Sequence, residues 1–357
     1  TVSAQLGSGK FTGLQAILNA YQKGNVTTPL AIRVLGLIKT GQTHTFESSA
    51  EGIQIKGRNA NSELNITIEG IGEDATIHGF GFLVRNAKSV EFRNLGIMRA
   101  MDDGISLDTD NSNIWVHHID VFYGKAGGGD HAKGDGAIDV KSNSKFITID
   151  HCHFWDTGKS SMCGMKNETW PNYITYHHNW FDHSDSRHAR IRTMSVHLWN
   201  NFYDGCAKYG IGATMGSSVF SERNYFRATK DPILISKQGT DRKGTGTFSG
   251  EAGGMVKECG SLFTEQGAGS NYTPTTYAAD NKSFDFYQVA TREEQVPSSV
   301  KSLEGGNTYN NFDTNASLMY SYTPDATVDV PSQVMGYYGA GRLNHGSLQF
   351  KFNNAIE

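Results

Sequence analysis

An all-β parallel solenoid is the fold that this 357-residue sequence predicts. Three observations carry the prediction. Six eleven-residue segments hold the same apolar columns in register, asparagines share one of those columns, and proline is scarce (7) where glycine is abundant (41). Proline removes a ladder hydrogen bond, and glycine suits a chain that turns often.

The segments are "AKSVEFRNLGI" ending at Ile97, "NSNIWVHHIDV" at Val121, "SKFITIDHCHF" at Phe154, "PNYITYHHNWF" at Phe181, "TMSVHLWNNFY" at Tyr203 and "GSSVFSERNYF" at Phe226. Their fourth column is β-branched throughout: Val90, Ile114, Ile147, Ile174, Val196 and Val219. The sixth is apolar except at Ser221, and the fifth is mixed, so one face of each strand is buried. The ninth column ends Asn179, Asn201, Asn224, which predicts an inward amide ladder bonding coil to coil. A β-sandwich would supply short strands but not six repeats in one register.

The other elements follow in order. "FTGLQAILNAYQKG" puts Leu14, Ile17, Leu18 and Tyr21 on one helical stripe, with Thr12 as N-cap, and this helix is expected to cap the open end. "PLAIRVLGLIKT" reads as an early strand, and "NITIEGIGEDATIHGFGFLV" alternates strand and turn. After Phe226 the register weakens; "KQGTDRKGTGTFSGEAGG" reads as a long glycine-rich loop, and the last roughly 60 residues are expected to pack back along the outside. Nothing reads as a linker, so residues 1–357 are expected to form a single domain with long decorating loops.

Net charge is −4, which argues against a nucleic-acid partner and confines any polyanion site to a local basic patch. No apolar run approaches a membrane span, so no membrane partner is expected. The chain starts at Thr1, which suits a processed, secreted protein; a monomer is expected. The four cysteines allow three pairings, and Cys152, in the inward column, is expected to be a buried free thiol.

The basic patch is "SDSRHARIRTMSV", with Arg187, Arg190 and Arg192 in six positions. Acidic residues cluster in "AMDDGISL" and "DGAIDVK". With "DTGKSSM" and "YITYHHNWF", these motifs make the chain resemble the pectate lyases of the pectate/pectin lyase superfamily (polysaccharide lyase family 1), from about Leu14 to at least Phe226. The resemblance implies a right-handed parallel β-helix and calcium-dependent β-elimination of polygalacturonate, an acidic polysaccharide. It implies that Asp103, Asp135 and Asp139 bind Ca²⁺, with Asp102 and Asp108 as alternatives to Asp103. It implies that Lys159 and Arg192 hold the substrate carboxylate and that Arg187 is the general base. Arg190 reads as a solvated residue or a partner for a nearby Asp. Two departures stand out: "RHARIR" lacks the family's proline between the arginines, and "WVHH" puts His117 where an aspartate is usual.

The chemistry is coherent. Elimination removes the C5 proton, α to an ionised C6 carboxylate, so the developing second negative charge needs cations. Ca²⁺ takes six to eight oxygen ligands. Four residues of straight strand span roughly 13 Å, so Asp135 must lie in a turn, bent by Gly134 and Gly136, to share an ion with Asp139. Arginine is ordinarily protonated far above neutrality, so a base at Arg187 needs cationic neighbours and alkaline conditions. The histidines His117, His118, His151, His153, His177 and His178 match no zinc signature and read as structural wall and turn residues. A calcium-independent pectin lyase and a non-catalytic solenoid are the rival functions.

Overall fold

The computed structural model describes residues 3–6, 9–40, 50–122, 133–243, 248–265 and 272–335. Part of the glycine-rich loop (244–247) and the end of the C-terminal segment (336–357) lie outside the described residues. The predicted columns become ladders. Val90 pairs with Ile114, Ile114 with Ile147, Ile147 with Ile174, Ile174 with Val196 and Val196 with Val219, all parallel. The last column stacks likewise. Ring centroids of Phe154 and Phe181, Phe181 and Tyr203, and Tyr203 and Phe226 lie 4.8, 5.0 and 4.3 Å apart. These separations match the roughly 4.8 Å between neighbouring strands, so one aromatic per coil fills the core from Phe154 on, where Ile97 and Val121 fill it in the coils before. The result is a parallel β-helix.

The ladder runs further than the sequence register. Ile66 pairs with Val90 before it, and Val219 pairs with Val256 after it. Phe263 joins the aromatic stack 5.1 Å from Phe226. The glycine-rich stretch between Phe226 and this last coil had hidden it, and that stretch itself contains a short helix, Gly239–Lys243.

The asparagine ladder forms as predicted. Asn179 Nδ2 donates to Asn201 Oδ1 at 2.9 Å, and Asn201 Nδ2 to Asn224 Oδ1 at 3.0 Å. Beside it, the eighth column is a left-handed corner in every coil: Asn94, His118, His151, His178, Asn200 and Arg223 have φ between 46° and 52°. Asn and His tolerate that region better than most residues, which gives these histidines a structural reason to stand there.

The helix Leu14–Gln22 packs Ile17, Leu18 and Tyr21 into the core, as its stripe predicts. Its N-cap is Gly13 at φ 96°, not Thr12. Thr12 is instead held in a strand paired with Ser3, and only a residue without Cβ enters the helix easily at that dihedral. The described part of the C-terminal segment, up to residue 335, lies along the outside: Val330 and Val334 pack with Phe202, and Tyr320 bonds His197 and Trp199. No helix among the described residues is long and apolar enough to cross a membrane.

A second sheet completes each coil. Its strand order brings Ile105–Asp108, Ile138–Lys141, Lys159–Cys163 and Ser186–Arg192 side by side. That adjacency positions the site.

Candidate active site

Asp139 and Lys141 lie two residues apart on Ile138–Lys141, hence on one face of the strand. Asp102 and Asp103 precede the neighbouring strand, and Asp135 sits in the turn before Ile138. Gly134 makes that turn at φ 88°. Gly136 has a different task from the predicted bend. A Cβ there would collide with the Asp139 carboxylate, and its N–H donates to Asp103 Oδ1 at 3.0 Å. Its bare Cα therefore lets two carboxylates crowd one backbone site.

Carboxylate oxygens of Asp102, Asp103 and Asp135 all lie within 4.8 Å of one another. Asp139 stands deeper, buried, joined to the group through Lys141, which bonds Asp103 and lies 3.7 Å from Asp139. Asp108, the other alternative, is elsewhere, paired with Arg85 at 2.6 Å.

Crowding and burial act on the protons. Burial, with Asp103 next, pushes Asp139 up to about 7. Burial, helped by Asp103, Glu51 and Asp135, pushes Asp102 up to about 6. Asp103 is raised by burial despite Lys141. Burial alone would depress Lys141, but Asp139 and Asp103 outweigh it and hold its ammonium above the usual lysine range. An all-oxygen donor set with raised carboxyl pKa values suits a hard divalent cation.

The basic residues lie on the next two strands. Lys159 Nζ pairs with Asp135 at 2.9 Å, so residues given separate roles by resemblance are partners here. Arg187 is half-buried, with φ 64°, and its charge acts on Asp139. Arg192 Nε bonds both oxygens of Glu251, at 3.1 and 3.0 Å, while Nη1 reaches Met162 and Gly164. Arg190 is neither solvated nor paired with an aspartate. It is largely covered and shares Ser249 and Glu251, because the stretch after Gly239–Lys243 folds over the strand.

Lys141 and Glu251 are the residues that sequence reasoning missed. Lys141 had a visible signal, the two-residue spacing from Asp139. Glu251 had none, since it lies 59 residues from Arg192.

The pectate lyase family profile matches residues 19–343. The pectate trisaccharide-lyase of Bacillus licheniformis is 32% identical over 227 residues, 62% of this chain and 63% of that protein. Pectate lyase A of Emericella nidulans is 31% identical over 184 residues, covering 49% of this chain and 55% of its own. The chain thus spans under two thirds of the length of these relatives. Among solved structures, a pectate lyase of Bacillus sp. N165 in complex with trigalacturonate aligns with TM-score 0.66 at 22% identity, over 96% of this chain and 97% of that one. Pectate lyase C of Erwinia chrysanthemi, at pH 9.5 with 30 mM Ca²⁺, aligns with TM-score 0.62 at 22% identity, over 95% and 93%. At these identities the likeness is one of fold, the right-handed parallel β-helix. With the profile covering most of its length, the chain belongs to the pectate lyase family.

Proposed function

We propose that this chain cleaves α-1,4-polygalacturonate by calcium-dependent β-elimination, releasing unsaturated oligogalacturonides. The observation that carries the reading is one sheet that gathers Asp102, Asp103 and Asp135 within 4.8 Å beside strands bearing Lys159, Arg187 and Arg192. Residues 1–357 are read as one domain, secreted because the polymer is too large to enter a cell, and active as a monomer.

Calcium held by Asp103, Asp135 and Asp139, with Asp102 beside them, would neutralise these carboxylates and offset charge growing on the substrate's C6 carboxylate. Lys159 and Arg192 grip that carboxylate. Glu251 fixes Arg192 through Nε, which leaves Nη2 without a partner among the described residues and available to substrate. Arg187 takes the C5 proton; the C5–H electrons form the C4=C5 double bond as the C4–O bond breaks, and the leaving oxygen takes a proton from water. Because Arg187 must first be deprotonated, rate should rise with pH in the alkaline range.

The test is ultraviolet absorbance of the unsaturated product, with polygalacturonate or methylated pectin, with and without chelator. Product from polygalacturonate only when Ca²⁺ is present is the expected result. Arg187→Lys should lower turnover by roughly 10²–10⁴ and oligogalacturonate binding much less. A rate indifferent to chelator, or a preference for methylated pectin, would favour the pectin-lyase reading. A profile peaking near pH 5 would remove Arg187 from its role.

A further inference from the structure

Outside that site, on the outer wall of the helix, a second cluster brings Asp150, His151 and His177 together. Their ligand atoms lie within 4.8 Å of one another. Asp150 and His177 are paired in register on adjacent coils, and His151 is the left-handed corner that follows Asp150. Asp150 is buried, while His151 and His177 reach the surface beside the exposed Trp115.

Tautomers in this cluster follow from its hydrogen bonds. Asp325 Oδ2 lies 2.9 Å from His178 Nε2. A carboxylate only accepts, so that nitrogen carries the hydrogen and Nδ1 of neutral His178 is an acceptor. His178 Nδ1 lies 2.9 Å from His177 Nδ1, so His177 must donate from Nδ1. Its Nε2 is then a bare lone pair, 3.9 Å from Asp150 Oδ1. Two acceptors face each other with no proton between them, a juxtaposition that a cation resolves.

We propose that Asp150, His151 and His177 bind one divalent transition-metal ion of the Zn²⁺ class. Two imidazoles and one carboxylate suit such an ion, whereas Ca²⁺ and Mg²⁺ take oxygen ligands. Metal–ligand bonds of about 2.0–2.2 Å place tetrahedral ligand atoms about 3.4 Å apart, so the 3.9 Å gap closes by about half an ångström. Asp150 would bind through Oδ1, and His151 would exchange the hydrogen bond between its Nδ1 and Asp150 Oδ2, now 2.7 Å, for the ion, its proton passing to Nε2 through solvent. The fourth position faces solvent. The supports are those a metal site requires: Trp115 Nε1 donates to Asp150, and the chain His177–His178–Asp325 orients the imidazole. The ion would thereby clamp two coils and the C-terminal segment that supplies Asp325.

A comparable cluster, Asp182, His183 and Asp204, lacks this gap. Arg227 grips Asp204 with two bonds of 2.7 and 2.8 Å, and His153 and His183 both bond Asp182. It serves as the control.

Metal-stripped protein, held in excess Ca²⁺ to keep the acidic site occupied, should be titrated with Zn²⁺ by calorimetry and with Co²⁺ by visible absorption. The expected result is one equivalent, with the intense bands of a four-coordinate Co²⁺ site. His177→Gln and Asp150→Asn should each abolish that equivalent, and Asp325→Ala should weaken it about 10–100-fold. His183→Gln should leave it unchanged. Asp325 is a surface residue, so its variant stays informative if Asp150→Asn fails to fold. The proposal is overturned if the wild type takes up no stoichiometric ion, or if binding follows His183 instead of His177 and Asp325. Since Ca²⁺-dependent turnover is not the readout, failure here leaves the lyase reading untouched.

Discussion

Lys141 puts an ammonium between Asp103 and Asp139, the carboxylates that the proposed calcium site needs. It is a tethered cation, and its charge partly compensates buried acids that would otherwise hold their protons. Any free cation entering this group competes with it. Lys141→Met should therefore tighten calcium binding in the absence of substrate, by about fivefold if roughly 1 kcal/mol of competition is relieved. Calorimetric titration checks this, and weaker binding in the variant would mean that Lys141 supports the site instead. Glu251 plays the opposite part on the next strands, an anion that holds Arg190 and Arg192. Arg192 holds Glu251 below the usual carboxylate range despite the burial that opposes it, so the contact persists into mild acid.

At the scale of the element, each coil repeats three devices: an aliphatic or aromatic ladder inside, an inward turn residue that is aliphatic at Leu95 and Ile119 and a thiol or amide from Cys152 on, and a left-handed corner beside it. The amide ladder is demanding, because each buried Asn serves two neighbours. Asn201 Oδ1 accepts from the Asn179 backbone at 3.1 Å and from its side chain at 2.9 Å, and Asn201 Nδ2 donates to Asn224. Asn201→Ala strands these buried groups, each at about 1–3 kcal/mol. The variant should lose at least about 2 kcal/mol in chemical denaturation, and a loss under 0.5 kcal/mol would show that water replaces the amide freely. All four cysteines are buried and unpaired; Cys152 takes the ladder position, its backbone N–H bonding Asn179 Oδ1 at 3.0 Å.

For the whole molecule, core and acidic site are separate sources of stability. The stacked columns need no ion. Chelation should abolish turnover on polygalacturonate while the β-rich circular dichroism stays nearly intact, and added Ca²⁺ should restore the rate; collapse of the dichroism would tie fold to metal. The acidic group leaves a pH signature in the metal-free protein. Asp139 has its folded pKa raised from 3.8 to about 7. Between those values the native state holds a proton that the unfolded state has lost, so this group's contribution is present in acid and lost as pH rises through 7. Asp139→Asn, which keeps the shape without the charge, should therefore raise the metal-free Tm at pH 8 relative to wild type and change it little at pH 4. It should also raise the Ca²⁺ concentration needed for half-maximal rate, while Asp182→Asn, outside the site, should not. Equal shifts at both pH values would detach Asp139 from the titration.

Repetition is what the sequence determined by itself. A side chain at a given column meets its own kind one coil away, so Val90 to Val219, Phe154 to Phe226 and Asn179 to Asn224 announce their contacts without any structure. The turn preceding Asp139 was legible locally from Gly134, whose φ of 88° suits a residue without Cβ, whereas the true task of Gly136, leaving room for the Asp139 carboxylate, was not. Convergence across coils was decided only by the tertiary structure. Asp102 and Asp103 meet Asp135 because the second sheet sets their strands side by side. Glu251 reaches Arg192 from 59 residues away, and Asp325 reaches His178 from 147. Such pairs share no period, and the physics that joins them, charge brought together in a partly dry site, exists only once the coils have stacked.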